Sequence, residues 1–391
     1  MSIIYIDHQA STPVTQDVLE AMQSCWKAEI GNPHSSEHIA GLQASKLIEQ
    51  SQQVISNVLA CEASEIVFNS GASEGNNQTI FGVLNSEQLR SNKRRVIIST
   101  IEHKCVMSAA EFWCAKLGLD LQFVRVDQEG YVDQGHLKEL LKTPTALVSI
   151  MAVNNEVGTI QDLEALSELV WSHDALFHSD CAQLMMASEH FCAPDVTDLC
   201  TFSGHKIGGP QGIGCLYVAA HLHEHIAPMI HGGGQQSGLR AGSQPTPLIV
   251  GLGKAFEAFS NPEANRSRTQ DLRKKSKRMI DAILSRFEAV ELNGPELEQR
   301  HPGNLNLYFP QCPADQLLHQ IFSDIAASSG SACNSGTIDA SYVLQALGHS
   351  KERSSQSIRL SPSVKNTDEE LDMAAIKIAN SAHSLLQAVH S

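Results

Sequence analysis

The chain has 391 residues, of which 42% are hydrophobic, and it carries a formal net charge of -15 at pH 7 with a pI near 5.6. The acidic balance, with no compensating basic block, argues against nucleic acid or an anionic membrane surface as the main partner. No run of about 18 apolar residues predicts a membrane-spanning helix, and the length predicts a large core shared between two domains. These properties favour an enzyme that acts on a small molecule.

The cysteines indicate a reducing compartment. There are ten of them, without CxxC pairs or regular spacing, and the first residues do not form a basic and apolar signal segment. We therefore expect reduced thiols in a cytoplasmic protein, most of them packed as small apolar core residues.

In the first two thirds of the chain, short β-rich runs alternate with helical segments. This alternation, from about residue 16 to about residue 255, predicts an α/β architecture with a mostly parallel sheet. The predicted strands are 66–69, 95–99, 121–126, 146–151, 176–179, 199–202 and 214–218, and the predicted helices are 73–84, 106–117, 136–141 and 163–171.

After residue 259 the pattern changes to a long charged helix at about 263–288, separate strands (NLNLYF, DIAAS and SIRLS) and a closing helix. Thr367 and Glu370 have the spacing of a capping box at the start of that last helix. We predict a large α/β domain of residues 16–255 and a smaller α+β domain made of residues 1–15 and 256–391.

Polar side chains follow the ends of most predicted strands. In open α/β sheets, ligands bind beyond the carboxyl ends of the strands, so we expect these side chains to meet in one site. They are Ser73, His103, Asn155, Asp180, Gln183, Ser203, His205 and Lys206.

Lys206 is the strongest candidate for chemistry. It follows an apolar run and precedes the glycines of the segment KIGGPQGIG, so it is expected at a strand end on a Gly-rich turn. Partial burial favours the neutral amine, which attacks an aldehyde. The alternative is an ordinary lysine in a turn. Cys333, in the segment SSGSACNSG, supplies a candidate nucleophilic thiol, or else an incidental loop cysteine.

The other candidates also have two interpretations each. Ser73 either caps a helix or helps the helix N-terminus to bind a phosphate. His103 is either a core histidine or a ring that lies on an aromatic cofactor. Asp180 either forms an ordinary ion pair or keeps a pyridine nitrogen protonated. The His-Ser-Asp run at 178–180 has no third ligand at metal-site spacing, so no metal is predicted. A GxGxxG motif in a strand-to-helix context is lacking, which disfavours a nicotinamide enzyme.

Ten segments in order resemble the cysteine desulfurases of the class V aminotransferase group, which are pyridoxal phosphate enzymes of fold type I. They span nearly the whole chain, and we identify it as similar to that family on their order and spacing. The segments are YIDHQASTP, GNPHSSEHIAG, IVFNSGASEGNN, EHKCV, NNEVGTIQ, HSDCAQ, FSGHKIGGPQGIG, HGGGQQSGLRAGS, SSGSACNSG and SIRLS.

The resemblance implies a role for each cofactor residue. Lys206 forms the covalent link to pyridoxal 5'-phosphate, and His103 stacks on its ring. Asp180 pairs with the pyridinium nitrogen, and Gln183 contacts the ring hydroxyl. The phosphate is bound by the helix N-terminus and by side chains from several segments, namely Ala72, Ser73, Ser203 and His205, with Ser243 reaching the site of a partner subunit in a homodimer.

The resemblance also implies the reaction. Asn155 and Arg359 bind the carboxylate of L-cysteine, the latter as a bidentate clamp. Cys333 takes the substrate sulfur as a persulfide, alanine leaves, and the sulfur passes to an acceptor protein. The Ser- and Gly-rich flanks of Cys333 suit a loop that moves between the cofactor and that acceptor, as in the long-loop class of the family.

Several positions depart from the family pattern. His8 and Gln9 in the N-terminal strand are atypical, and Gln236 stands where an acidic residue is common. Residues 242–245 read GSQP instead of a GT pair, and SPSVKNT replaces a Gly-Arg pair after Arg359. The chain also ends directly after its last helix, which predicts a specialised acceptor.

Two other functions stay open at this point. Another pyridoxal phosphate enzyme of the same fold, a transaminase or a β-lyase, would need Lys206 and Arg359 but not Cys333. A catalytically silent binding subunit would fit the altered loops, but it should have lost a cofactor residue, and none of them is lost.

Overall fold

The computed structural model describes residues 3–329 and 340–389, with side chains through residue 387. Within these residues the strands are β1 Ile4–Tyr5, β2 Ile66–Asn69, β3 Arg95–Ser99, β4 Asp120–Val124, β5 Thr145–Ser149, β6 Leu176–Asp180, β7 Leu199–Ser203, β8 Gly214–Val218, β9 Glu291–Leu292, β10 Leu305–Tyr308, β11 Ile325–Ala326 and β12 Ser357–Leu360. The helices are α1 Gln16–Lys27, α2 Ile39–Leu59, α3 Ala72–Leu84, α4 Glu87–Arg90, α5 Lys104–Leu117, α6 Gln134–Leu141, α7 Leu163–Trp171, α8 Ala193–Val196, α9 Thr246–Glu257, α10 Pro262–Leu284, α11 Ala314–Ile321, α12 Tyr342–Ala346, α13 Lys351–Ser355 and α14 Asp368–Val389.

A seven-stranded sheet forms the centre of the molecule, in the order β2-β8-β7-β6-β5-β3-β4. Strands β4, β3, β5, β6 and β7 are parallel, and β8 runs antiparallel to β7 and to β2. The inner parallel strands are almost continuously apolar because helices cover both faces of the sheet. The predicted α/β class with a mostly parallel sheet is confirmed.

A second region of the structure consists of the described residues after α9 together with the first residues of the chain. Strands β12, β10 and β9 form an antiparallel sheet, and β1 pairs in parallel with β11. Ile4 and Ile6 belong to the hydrophobic core of this region, together with residues of α10, α11 and α14, whereas Val18 and Met22 of α1 belong to the core of the large sheet. The N-terminal residues therefore pack with the end of the chain.

The capping box predicted at the last helix is confirmed. The Thr367 N–H donates to Glu370 Oε2 (3.1 Å), and the Glu370 N–H donates to Thr367 Oγ1 (3.2 Å). Across the described ranges 3–329 and 340–389, no helix is both long enough and apolar enough to cross a bilayer.

Some elements differ from the sequence prediction. Helices α1, α2 and α9 were not individually predicted; the buried face of α2 includes Gly41, Ala44 and Ser51, so its apolar period is weak. The assignment of His8 and Gln9 to a strand is wrong. Strand β1 ends at Tyr5, and the Ala10 N–H closes a turn on the Asp7 carbonyl.

Candidate active site

A cavity of about 480 Å³ lies at the carboxyl ends of the central strands, which confirms the predicted meeting of strand ends. Ser243 is exposed and does not line this cavity, and Cys333 lies outside the described residues. The remaining predicted site residues all line it, namely Ala72, Ser73, His103, Asn155, Asp180, Gln183, Ser203, His205, Lys206 and Arg359.

Lys206 ends a short 3-10 turn, Gly204–Lys206, that directly follows β7. The Nζ atom donates hydrogen bonds to the backbone carbonyls of Gln9 (2.7 Å) and Ala10 (2.9 Å). The turn needs Gly208, whose φ is +78° and whose added Cβ would lie 2.8 Å from Thr15 Cγ2. The N-terminal turn and the Gly-rich segment together fix the amine at the cavity wall.

Asp180 ends β6 and is 5% exposed. Its Oδ2 accepts a hydrogen bond from Asn76 Nδ2 (2.6 Å), and its Oδ1 accepts one from the Ala182 N–H (3.0 Å). None of the salt bridges between the described residues includes Asp180. A carboxylate that is buried among neutral donors at a cavity wall suits a cationic ligand atom such as a protonated ring nitrogen.

His103 is the N-cap of α5. The Cys105 N–H donates to His103 Nδ1 (3.2 Å), and Cys105 Sγ lies 3.0 Å from the same nitrogen. Because Nδ1 accepts the backbone hydrogen bond, the proton of the neutral ring resides on Nε2. Asn76 Nδ2 also lies 3.3 Å from Cys105 Sγ, so Asn76 links the surroundings of Asp180 and His103.

The N-terminus of α3 forms another wall of the cavity. Gly71, with φ +138°, is the N-cap, so the interpretation of Ser73 as the cap is wrong. An added Cβ at Gly71 would lie 3.6 Å from Ser203 Oγ, which places this hydroxyl beside the helix N-terminus. Backbone N–H groups and a hydroxyl at a helix N-terminus are suited to a phosphate. Burial and the charge of Lys206 lower the pKa of His205 to about 4, so its ring is neutral at pH 7.

Arg359 is 3% exposed and is held from three segments of the chain. Nη1 donates to the Asn155 carbonyl (2.8 Å), and Nη2 donates to Asp7 Oδ1 (2.7 Å) and Ser328 Oγ (2.9 Å). Nε is buried without a hydrogen-bond partner among the side chains that the structure describes. The guanidinium therefore keeps a donor for a further acceptor in a fixed orientation.

Two buried carboxyl groups flank His103 and Asn155 in sequence. Burial raises the pKa of Glu102 to about 8, and burial also raises the pKa of Glu156. The Tyr342 hydroxyl donates to the Glu102 carbonyl (2.6 Å), and Ser341 Oγ donates to Glu156 Oε2 (2.5 Å). Ser341 and Tyr342 thus contact the residues that lie next to Asn155 and His103 in the sequence.

Gln236, one of the departures from the family pattern, has a structural role. Its Oε1 accepts from the Phe68 N–H (2.6 Å), and its Nε2 donates to the Phe68 carbonyl (2.8 Å). It therefore satisfies the free edge of β2, and a carboxylate could make only the first of these hydrogen bonds.

Sequence reasoning missed several functional neighbours. Gln9 and Ala10 act through backbone carbonyls, which no side-chain pattern reveals. Asp7 and Asn76 lie within recognised segments but act through residues that are remote in sequence, Arg359 and Asp180. In the part of the chain that the structure describes, no group of three His, Cys, Asp or Glu side chains could hold a metal ion.

The model of the Aminotransferase class-V family matches residues 4–373, and the chain belongs to this family. Cysteine desulfurase IscS of Rickettsia bellii (strain OSU 85-389) is 39% identical over 384 residues, which are 98% of this chain and 92% of that protein. A solved structure described as a NifS-like protein matches with a TM-score of 0.88 and 32% identity, over 97% of this chain and 99% of that one. A structure of SspA in complex with cysteine matches with a TM-score of 0.80 and 33% identity, over 93% and 99%.

Proposed function

We propose that this protein is a pyridoxal phosphate-dependent cysteine desulfurase, which converts L-cysteine to L-alanine and captures the sulfur as a persulfide on Cys333. The observation that carries this proposal is one cavity lined by the Lys206 amine, the Asp180 carboxylate and the N-terminus of α3. The identity to cysteine desulfurases over nearly the whole chain supports it.

The walls of the cavity fit pyridoxal phosphate. Its phosphate suits the N-terminus of α3 at Ala72 and Ser73 with the Ser203 hydroxyl and His205, and its ring nitrogen suits Asp180. His103 would lie against the ring, and Gln183 would reach the ring hydroxyl. When bound, the cofactor supplies an aldehyde for the amines and a ring that accepts an electron pair from the substrate α-carbon.

The residues of the chain have separate tasks in this reaction. Asp180 would keep a proton on the ring nitrogen of the cofactor, because the two hydrogen-bond donors that its buried carboxylate has among the described residues are both neutral. The Arg359 guanidinium binds the carboxylate of L-cysteine, and Asn155 helps to position it. The Lys206 Nζ at the cavity wall would take up the α-proton of the substrate and return it to carbon.

In the sulfur transfer, the Cys333 thiolate attacks the sulfur of L-cysteine. The new S–S bond forms as the Cβ–S bond breaks, and the electron pair stays with carbon, which is protonated to give alanine. The described residues on the two sides of Cys333 in the sequence contact residues of this site or next to it: Ser328 accepts a hydrogen bond from Arg359, and Ser341 donates one to Glu156.

The test compares the unmodified protein with Cys333→Ala. Both are incubated with labelled L-cysteine, alanine and sulfide are measured with a reductant present, and the peptide containing residue 333 is analysed by mass spectrometry for an added sulfur. We expect the variant to keep its cofactor and to lose turnover by a factor of about 10² or more. If the variant turns over cysteine as fast as the parent, the transaminase or β-lyase function takes precedence.

The proposal also covers the oligomeric state of the protein, its compartment, its sulfur acceptor and its domains. Ser243 is exposed and does not line the cavity of its own chain, which supports a homodimer in which it reaches the partner's phosphate site. Light scattering that shows an active monomer would contradict this. The nine described cysteines are free, which supports a cytoplasmic protein. The net charge of -15 supports sulfur transfer to an acceptor protein rather than to a membrane or directly to nucleic acid. The two larger hydrophobic cores support domains of residues 16–255 and of residues 1–15 with 256–391, and a third, smaller core joins the two through Ile101, Met151, Val157, Val343, Leu344 and Leu347.

A further inference from the structure

A second, much smaller cavity lies behind Lys206. Its volume is about 20 Å³, and its walls include His8, Gln9 and His301. Gln9, Gln183 and Lys206 line both this cavity, which we call the back cavity, and the large one, so they form the wall between the two. The volume is sufficient for one water molecule and too small for a larger ligand.

Three residues that line the back cavity each have a buried polar atom that lacks a partner. Among the side chains that the structure describes, Gln9 Nε2, His301 Nε2 and His8 Nδ1 are buried atoms without a hydrogen bond. Gln9 and His301 are each 3% exposed. An unsatisfied buried polar atom is costly, so three of them around one small cavity indicate a common bound partner.

The orientation of the Gln9 amide follows from its neighbours. Arg300, which has only donors, donates to Asn304 Oδ1 (3.2 Å), so Asn304 Nδ2 is the donor toward Gln9 Oε1 (2.6 Å). The free atom of Gln9 is therefore its Nε2, a donor.

The two histidines contribute one donor and one acceptor. Burial lowers the pKa of His301 to about 3 and that of His8 to about 4, so both rings are neutral at pH 7. The Gly303 N–H donates to His301 Nδ1 (3.1 Å), which places the proton on Nε2. An interaction with the Tyr5 backbone opposes the lowering of the His8 pKa, and because Nδ1 has no partner we assign the ring proton to the other nitrogen and Nδ1 as an acceptor.

We propose that the back cavity binds one water molecule, which holds the Gln9 side chain in place behind Lys206. The water accepts hydrogen bonds from Gln9 and His301 and donates one to His8, and three such bonds are typical of buried water. A chloride ion would accept from the two donors but would leave the His8 acceptor unsatisfied.

The site has a consequence for Lys206. The Gln9 carbonyl accepts hydrogen bonds from Lys206 Nζ (2.7 Å) and from Gln183 Nε2 (2.8 Å). The side chain of Gln9 is fixed by Asn304 on one side and by the water on the other. The bound water is therefore part of the support that positions the amine, and this role does not depend on which cofactor or substrate the large cavity binds.

The first test is a crystal structure of the unmodified protein at about 1.8 Å resolution, with a second crystal soaked in bromide. We expect one density peak at about 2.7–3.2 Å from each of the three atoms, without anomalous signal from bromide. An empty back cavity, or a bromide peak in it, would overturn the proposal.

The second test is a thermodynamic cycle on melting temperature. We expect His8→Phe and His301→Phe each to lower Tm by about 2 °C. The double variant should lose clearly less than the sum, because the first substitution already expels the shared water. His349 provides the matched control. Its Nε2 is also buried and without a partner among the described residues, but His349 does not line the back cavity. The decrease in Tm caused by His349→Phe should therefore add fully to that caused by His301→Phe. Full additivity of His8→Phe with His301→Phe would contradict a shared water.

Discussion

His178 should make the protein sensitive to acid, because it is buried and neutral directly below the site. It lies on β6 two residues before Asp180, is 0% exposed, and contacts Ser149 Oγ (2.8 Å) and Thr201 Oγ1 (3.3 Å) through its two ring nitrogens. Burial lowers its pKa from 6.5 to about 4, and the nearby Asp180 opposes this only in part.

The sign and the size of the effect follow from proton linkage. Because the folded pKa lies below the unfolded one, the unfolded chain binds more protons between pH 6.5 and 4. The contribution of His178 is therefore complete above pH 6.5 and is lost as the pH falls toward 4. A pKa difference of one unit corresponds to about 1.4 kcal/mol. The lowering of the His178 pKa from 6.5 to about 4 therefore accounts for a loss of about 3 kcal/mol in the free energy of unfolding.

The measurement is urea unfolding at several pH values between 7 and 4.5 for the parent and for His178→Asn, which removes the titrating ring. The parent should lose stability more steeply than the variant as the pH falls. His319→Asn, on the exposed side of α11, serves as the control and should follow the parent. Parallel curves for the parent and His178→Asn would refute the reasoning.

Three further predictions concern the cavity and the sheet edge. Lys206→Ala should abolish the yellow, borohydride-reducible adduct that we expect in the purified protein, as an absorption spectrum after cofactor addition will show. Asp7→Asn should raise the KM for L-cysteine about tenfold with a smaller change in kcat, because Arg359 loses its orienting charge. The control Asp324→Asn removes an exposed ion pair with Lys377 that does not involve Arg359. Gln236→Glu should lower the free energy of unfolding by about 1–2 kcal/mol at pH 8, since the carboxylate cannot donate to Phe68, and the loss should shrink near pH 4 in denaturation curves.

The parallel strands and the strand-end site could be predicted because their signals are local. Runs such as 95–99 and 199–202 are apolar throughout, and the polar residues that follow them must meet at one edge of a parallel sheet. Helices α2 and α9 were not individually predicted, and α2 buries small and polar side chains that weaken the helical period. The turn at His8 and Gln9 is set by backbone hydrogen bonds to the end of the chain, including the His8 N–H to the Ser361 carbonyl, and that contact has no local signature.

Residues with a characteristic functional group could be predicted better than the residues that hold them in position. Lys206 was singled out from its own segment and Asp180 from its place at a strand end, whereas the role of Arg359 came from the resemblance of SIRLS to the family; all three line the cavity. Asn76 was missed because an amide on a helix has many uses, and its role depends on a carboxylate 104 residues away in sequence. Contacts of this kind are fixed only when the helix packs on the sheet.

The N-terminal turn explains how the two regions of the structure can act on one site. Asp7 orients Arg359 of β12, while the carbonyls of Gln9 and Ala10 hold Lys206 at the end of β7. Strand β1 in turn is paired with β11, so the turn cannot shift without disturbing the core of the second region. A movement of that region relative to the large sheet would therefore change the orientations of Lys206 and Arg359 together. This coupling gives a physical reason why substitutions in the first ten residues should affect substrate binding and the lysine at once.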